Sequence, residues 1–262
     1  MKNLSQSLTS YDLLKTLAVV LMVVDHVGYF FFTEQEWFRV VGRLSMPVWF
    51  FLIGYARTRD VPVIFWLGGA LLGVASLLSG EALLPLNILI ALGVTRLVID
   101  RVMGAALRGR EAFLGVCFLL LLVAVPSVIV FEYGTLGLLF AMYGYLCRHK
   151  GDGRLSGEGM VFFAVGVVIA YVVFQSVLLG GIGRVQFLSL LGGVGALMVL
   201  LYCFAPREFD VRAGWARKPL QFCGRYTLEI YVFHVLAFKA IAPFVNPEFF
   251  TLFDVKIFPF GL

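Results

Sequence analysis

Four ionisable side chains, Asp12, Lys15, Asp25 and His26, stand inside the apolar, helix-length run from Tyr11 to Gly28, YDLLKTLAVVLMVVDHVG. A histidine beside a carboxylate can act as a general base, and a nearby guanidinium, here Arg43, can offer positive charge to a developing oxyanion. A cluster such as Lys15, Arg57 and Arg59 can hold phosphates or another polyanion through charge-assisted hydrogen bonds. At about 100° per residue, the step from Lys15 to His26 closes to within roughly 20° of a whole number of turns, so the two share a helical face about 16 Å apart along the axis. Asp12 falls near the same stripe. Ionisable groups inside a membrane span are costly and usually face the protein interior, where they serve a site or a pathway.

Plainer roles exist for some of them. Arg57 and Arg59 could mark only the cytoplasmic end of a span, and Lys15, near a helix end, could snorkel to the interface. His26 and Asp25 lie about 20 Å up the helix, where snorkelling reaches poorly. A second polar face runs through the last apolar stretch, GRYTLEIYVFHVLAFK, where Thr227, Tyr231 and His234 fall at i, i+4 and i+7 and Arg225 and Glu229 have the spacing of an i, i+4 ion pair. Asn87, in PLNILIALG, is a lone amide suited to interhelical hydrogen bonding. Asp25, His26, Glu229 and His234 could equally form the proton relay of a transporter, and a non-catalytic assembly role would leave all of them replaceable. No metal centre is expected, because the adjacent Asp25 and His26 point about 100° apart and no third ligand has recognisable spacing.

The elements that must carry these residues are membrane helices. Of 262 residues, 61% are hydrophobic and 14% charged, with mean hydropathy +0.94, more apolar surface than one soluble core can hide. The apolar runs are long and lack the alternation of transmembrane strands, so the expected fold is an all-α polytopic bundle forming a single domain over 1–262. Nine spans fit, at 12–32, 38–56, 61–79, 82–99, 113–131, 134–148, 160–179, 186–205 and 223–243, with Ser10 as the cap of the first. The N-terminal apolar run is expected to stay as an anchor, since no small-residue cleavage pattern follows it. The tail 244–262 carries no assignment.

Odd-numbered connections hold Glu34, Glu36 and Arg39, then Glu81, Glu132 and Arg184. Even-numbered ones hold Arg57 and Arg59; Arg101, Arg108 and Arg110; Arg148, Lys150 and Arg154; and Arg207, Arg212, Arg217 and Lys218. That asymmetry puts the N-terminus and the even loops in the cytoplasm, and it accounts for the net charge of +5 without nucleic acid. Cys117, Cys147, Cys203 and Cys223 have neither disulfide-framework nor zinc-ligand spacing. Gly69-x-x-x-Gly73 and the clusters at 180–183 and 192–195 suit close helix contact in lipid. Level residues of a hairpin turning near 34–35 pair His26 with Arg43, and Lys15 and Asp12 with Arg57 and Arg59.

The runs DLLKTLAVVLMVVDHVGYFFF and FRVVGRLSMPVWFFLIGYARTRD, with PLNILIALG, EYGTLGLLFAMYGYL and GRYTLEIYVFHVLAFK, closely resemble the TraX family, membrane proteins linked to N-terminal acetylation of F pilin. Lys15 and His26 also fit the Arg/Lys-x10-His pattern of the wider transmembrane acyltransferase group that includes acyltransferase family 3. The resemblance implies a bacterial inner-membrane acyltransferase that takes acetyl groups from cytoplasmic acetyl-CoA, with His26 as its catalytic residue and Arg43 as a motif residue. The acceptor it implies is a pilin N-terminus, a glycan or another envelope molecule. RLSMP and LIGYARTRD depart from the family's more usual Ala-Phe-Pro and Glu-Gly pair.

Overall fold

The computed structural model describes residues 7–152, 156–210 and 214–258; Lys2, Arg154 and Arg212 lie outside the described residues. The described chain is nearly all helix: α1 (Ser10–Phe31), α2 (Glu36–Gly42), α3 (Ser45–Tyr55), α4 (Val63–Leu78), α5 (Ile88–Ala106), α6 (Arg110–Leu122), α7 (Ala124–Ser127), α8 (Leu136–Arg148), α9 (Gly157–Leu178), α10 (Arg184–Tyr202), α11 (Gly214–Arg225) and α12 (Thr227–Val245). Two residue pairs, β1 (Leu8–Thr9) and β2 (Glu208–Phe209), form a short antiparallel ladder. Among the described residues, α1, α9, α10 and α12 are each long and apolar enough to cross a membrane. The outward faces are apolar as well: Phe162 is 78% exposed, Val177 71% and Phe118 67%. Water would penalise such a surface, whereas acyl chains accept it.

Several expected spans are broken, each for a local reason. The run 38–56 splits into α2 and α3 because Pro47 has no N–H to give and its ring crowds the carbonyl four residues back. That carbonyl belongs to Arg43, and it accepts a hydrogen bond from the Tyr171 hydroxyl at 2.7 Å instead. The run 82–99 is helical only from Ile88; before it, residues 82–87 are irregular and pair with other segments through Leu83 N–H to Lys256 O (2.9 Å), Leu86 N–H to Val130 O (2.8 Å) and Glu132 N–H to Leu86 O (2.9 Å). Backbone outside a helix is tolerated in an apolar bundle when its polar groups are satisfied by the protein in this way. The run 113–131 is divided between α6 and α7, and the chain turns at Tyr133 and Gly134, both left-handed at φ 68° and 50°.

Thr9, rather than Ser10, caps α1. Its side chain accepts from Asp12 N–H (3.1 Å) while Thr9 N–H donates to the Asp12 carboxylate (3.0 Å), a capping box that only a residue three before an acid can close. Ser10 Oγ is left to donate to Ala205 O at 2.9 Å. The closest helix contact is α3 on α8, where a Cβ on Gly54 would strike Ala141 O and one on Gly144 would strike Phe51 O. The expected glycine contacts are only partly realised: Gly69 meets Ile90 and Gly73 meets Leu83, but Gly180, Gly181, Gly192 and Gly195 face open space.

The ends of the helices converge in two groups. Ser10 joins Ala205, Arg148 donates to Tyr55 O (2.9 Å), Lys150 to Tyr202 O (3.3 Å) and Arg96 to Thr58 O (3.1 Å). At the other end Asn246 donates to Phe30 O (2.7 Å) and Lys239 pairs with Glu81.

Candidate active site

The polar centre begins on α1. Asp25 is buried there, and its carboxylate pairs with Arg39 of α2 at 3.0 Å. Gly42 makes this possible: a Cβ at that position would strike the Asp25 backbone and Cβ, so α2 can lie against α1 only without one. Arg39 also donates to Asp25 O (3.2 Å) and stands 5.0 Å over the Tyr29 ring. Four residues on, Arg43 sits at the break between α2 and α3 and is buried. Its guanidinium donates to the Tyr133 hydroxyl at 2.7 Å, and Tyr133 reaches it from a left-handed backbone that costs a non-glycine residue about 1 kcal/mol or more. Arg43 is therefore held twice, at its guanidinium by Tyr133 and at its carbonyl by Tyr171.

His26, the next residue on α1 after Asp25, reaches α12. Its Nδ1 lies 2.7 Å from His234 Nε2 on α12, and His234 Nδ1 lies 2.6 Å from the carbonyl oxygen of Ile230. Tyr231, buried one turn below, packs 5.8 Å from the His26 ring, and Phe30 closes the upper side at 6.3 Å. Arg39, Arg43 and Lys239 are all within electrostatic range of His26. Two polar atoms of the centre are enclosed and have no partner among the described residues, Arg43 Nε and Asp25 Oδ1. The protein thus leaves hydrogen-bonding capacity unused beside His26, which is unusual for buried groups.

The N-terminal end of α1 is looser. Lys15 is half-buried, within electrostatic range of Asp12 and Arg96, and makes no hydrogen bond or ion pair among the described residues. Arg59 turns back to cap α3, donating to Ile53 O (2.7 Å) and Ala56 O (3.0 Å), and pairs with Asp100 at 3.0 Å. Arg96 of α5 stands between Lys15 and Arg59 in electrostatic terms and is anchored on Thr58. Arg57 is exposed and within electrostatic range of Tyr11 and Tyr55.

The structure thus brings Asp25, His26, Arg43, Tyr231 and His234 into one place and leaves others apart. Asn87 donates to Gly69 O at 2.8 Å, tying α5 to α4. Arg225 does not pair with Glu229, because the helix breaks at Tyr226 and the i, i+4 relation is lost; Arg225 lies 3.5 Å from Asp12 instead, and Glu229 is exposed. Sequence reasoning passed over Tyr133, Tyr171 and Arg96, and treated Arg39 and Glu132 as loop charges. Glu132 is half-buried and lies within electrostatic range of Arg43, Asp25 and Arg39.

No solved structure matches this chain. An uncharacterized protein of Rickettsia prowazekii (strain Madrid E) is 28% identical over 149 residues, covering 56% of this chain and 60% of that protein. Protein TraX of Escherichia coli is 34% identical over 94 residues, covering 34% of this chain and 38% of that protein. Each alignment spans less than two thirds of the relative's length. The profile of the family described as TraX protein matches residues 10–242, from the first residue of α1 into the last turns of α12, and so takes in both histidines and both arginines of the polar centre. On that match the chain belongs to the TraX family.

Proposed function

We propose that this protein is a membrane-embedded acyltransferase that moves an acetyl group from cytoplasmic acetyl-CoA to a hydroxyl or amine of an envelope molecule. The observation that carries the reading is the convergence, inside an apolar bundle, of a histidine pair at 2.7 Å with two fixed guanidiniums, one of which keeps a buried, unpartnered nitrogen. That is the set acyl transfer uses: a base for the acceptor and fixed positive charge for the oxyanion.

His26 removes the proton as the acceptor O–H or N–H bond breaks, and the freed lone pair attacks the thioester carbonyl. Arg43 faces the tetrahedral oxyanion. Collapse restores the carbonyl and expels the CoA thiolate, which takes the proton back from His26. Donor phosphates rest on Lys15, Arg57 and Arg59, joined by Arg96, and the thioester arm runs the ~16 Å along α1 to His26. Asp25 acts through Arg39, which it holds beside Arg43.

In this reading α1, α2 with α3, α4, α5, α6 with α7, α8, α9, α10 and α12 make nine crossings of a bacterial inner membrane, with the N-terminus cytoplasmic. The meeting of Ser10, Tyr55, Arg96, Arg148 and Tyr202 at one end of the bundle supports that orientation. A proton relay has less support: Glu229 is exposed and Asp25 is engaged by Arg39. The test supplies reconstituted protein with labelled acetyl-CoA and an acceptor extract. Transfer should vanish in a folded His26→Ala variant; undiminished transfer would overturn the assignment.

A further inference from the structure

We infer that His234 is a positioning residue whose bond to a backbone carbonyl fixes the tautomer of His26, leaving His26 Nε2 as the free lone pair. This rests on His26 being the base of the proposed acyl transfer.

The inference follows from counting protons along one line of contacts. The oxygen of Ile230 can only accept, so His234 Nδ1, 2.6 Å away, must carry hydrogen. A neutral imidazole has one N–H, so His234 Nε2 then presents a lone pair. His26 Nδ1 lies 2.7 Å from that lone pair and must in turn donate to it. The remaining nitrogen of a neutral His26, Nε2, is unprotonated, and it makes no hydrogen bond among the described residues. One carbonyl at the Ile230 turn therefore sets the protonation of both rings, and the base that results points its lone pair away from α12.

The line ends on a peptide dipole rather than a carboxylate. Asp25, the obvious candidate for orienting His26, is committed to Arg39 on another side of α1. When His26 takes up a proton at Nε2, the positive charge is shared through Nδ1–H to His234 and onward to the Ile230 oxygen. His234 can hold this geometry because its ring is packed between Tyr231 at 5.8 Å and Phe238 at 5.4 Å.

The chain has three histidines, His26, His149 and His234, so imidazole nitrogen signals of 15N-histidine-labelled protein in bilayers can be assigned by single substitutions. In the native protein His26 should be protonated at Nδ1 and bare at Nε2. His234→Ala should release that preference and lower transfer by about 10²–10⁴-fold, in the range found when an orienting partner is removed from a catalytic histidine. His234→Gln, whose amide oxygen can accept from His26 Nδ1–H, should restore the tautomer and bring transfer back to within about tenfold of native. A native His26 protonated at Nε2, or an unchanged tautomer in His234→Ala, would overturn the inference. The stated tautomers in a protein that transfers no acetyl group would uphold the positioning and sink only the acyltransfer reading.

Discussion

The two ends of α1 are built on opposite plans. Around Asp25 and His26 nearly every polar side chain is tied to another, Asp25 to Arg39, Arg43 to Tyr133 and His26 to His234. The backbone bends to allow it, with a helix break before Pro47, a left-handed Tyr133 and a glycine pressed on Asp25. Around Lys15 the described cations are held mostly on backbone oxygens, Arg59 on Ile53 and Ala56, Arg96 on Thr58 and Arg148 on Tyr55, while Lys15 itself makes no hydrogen bond among the described residues and Arg57 is exposed. Rigid, mutually locked groups suit a charge that exists only in a transition state, because they cost no reorganisation when it forms. Loose cations suit a ligand that arrives with its own anions and must leave again.

The strongest way to break this contrast is at Arg43. Arg43→Met keeps much of the side-chain volume and removes the guanidinium, and should lower kcat by about 10²–10³-fold with little change in KM for acetyl-CoA, the pattern of an interaction made only in the transition state. Steady-state kinetics with labelled acetyl-CoA decide it. A rise in KM with native kcat would place Arg43 in donor binding and dissolve the distinction between the two ends.

Part of this centre could be read directly. Hairpin arithmetic set Arg43 level with His26 because α1 and the following segment are antiparallel and joined by a short turn, and 3.6-residue periodicity put Tyr231 and His234 on one face because α12 is unbroken between them. Where the backbone departs from a regular helix the same arithmetic fails. Arg225 and Glu229 lie on either side of the break at Tyr226, and the expected fourth span starts six residues late because Leu83 and Leu84 bond to 256–257 and Leu86 to 130 and 132. Pro47 did signal such a break, since a proline at that place frees the carbonyl of Arg43; nothing local named Tyr171, 128 residues away, as its new partner. Tyr133, Tyr171 and Arg96 sit in apolar surroundings where one polar group looks like packing, and only the tertiary contact distinguishes them.

At the N-terminal end of α1 the contrast is sharpened by Lys15→Met. Lys15 has no hydrogen bond to lose among the described residues and is half-buried, so an apolar side chain of similar length should leave thermal stability unchanged or slightly raised. The same change should raise KM for acetyl-CoA by about tenfold, as expected for one charge-assisted hydrogen bond of ~1.5 kcal/mol, with kcat within about twofold of native. Parallel melting and kinetic measurements on detergent-purified protein separate the two effects. An equal fall in kcat would mean that Lys15 acts on the chemistry.

The smallest expected effect is at Glu229. It lies on the same helix as His234 yet is exposed and outside the locked group, so Glu229→Gln should change acetyl transfer by less than about twofold; surface substitutions away from such networks are usually worth under about 0.5 kcal/mol. A proton relay predicts the reverse, because removing one titratable member interrupts the path whatever the state of the others. The variant can therefore be assayed twice in the same sealed vesicles, once for transfer from acetyl-CoA and once for proton-coupled flux without any CoA compound. Native transfer and no flux in either protein keep the chemistry at the His26–His234 pair, whereas flux that depends on Glu229 would join Glu229 and His234 of α12 in one pathway and remove the reason for reading α1 as a binding end and a reacting end.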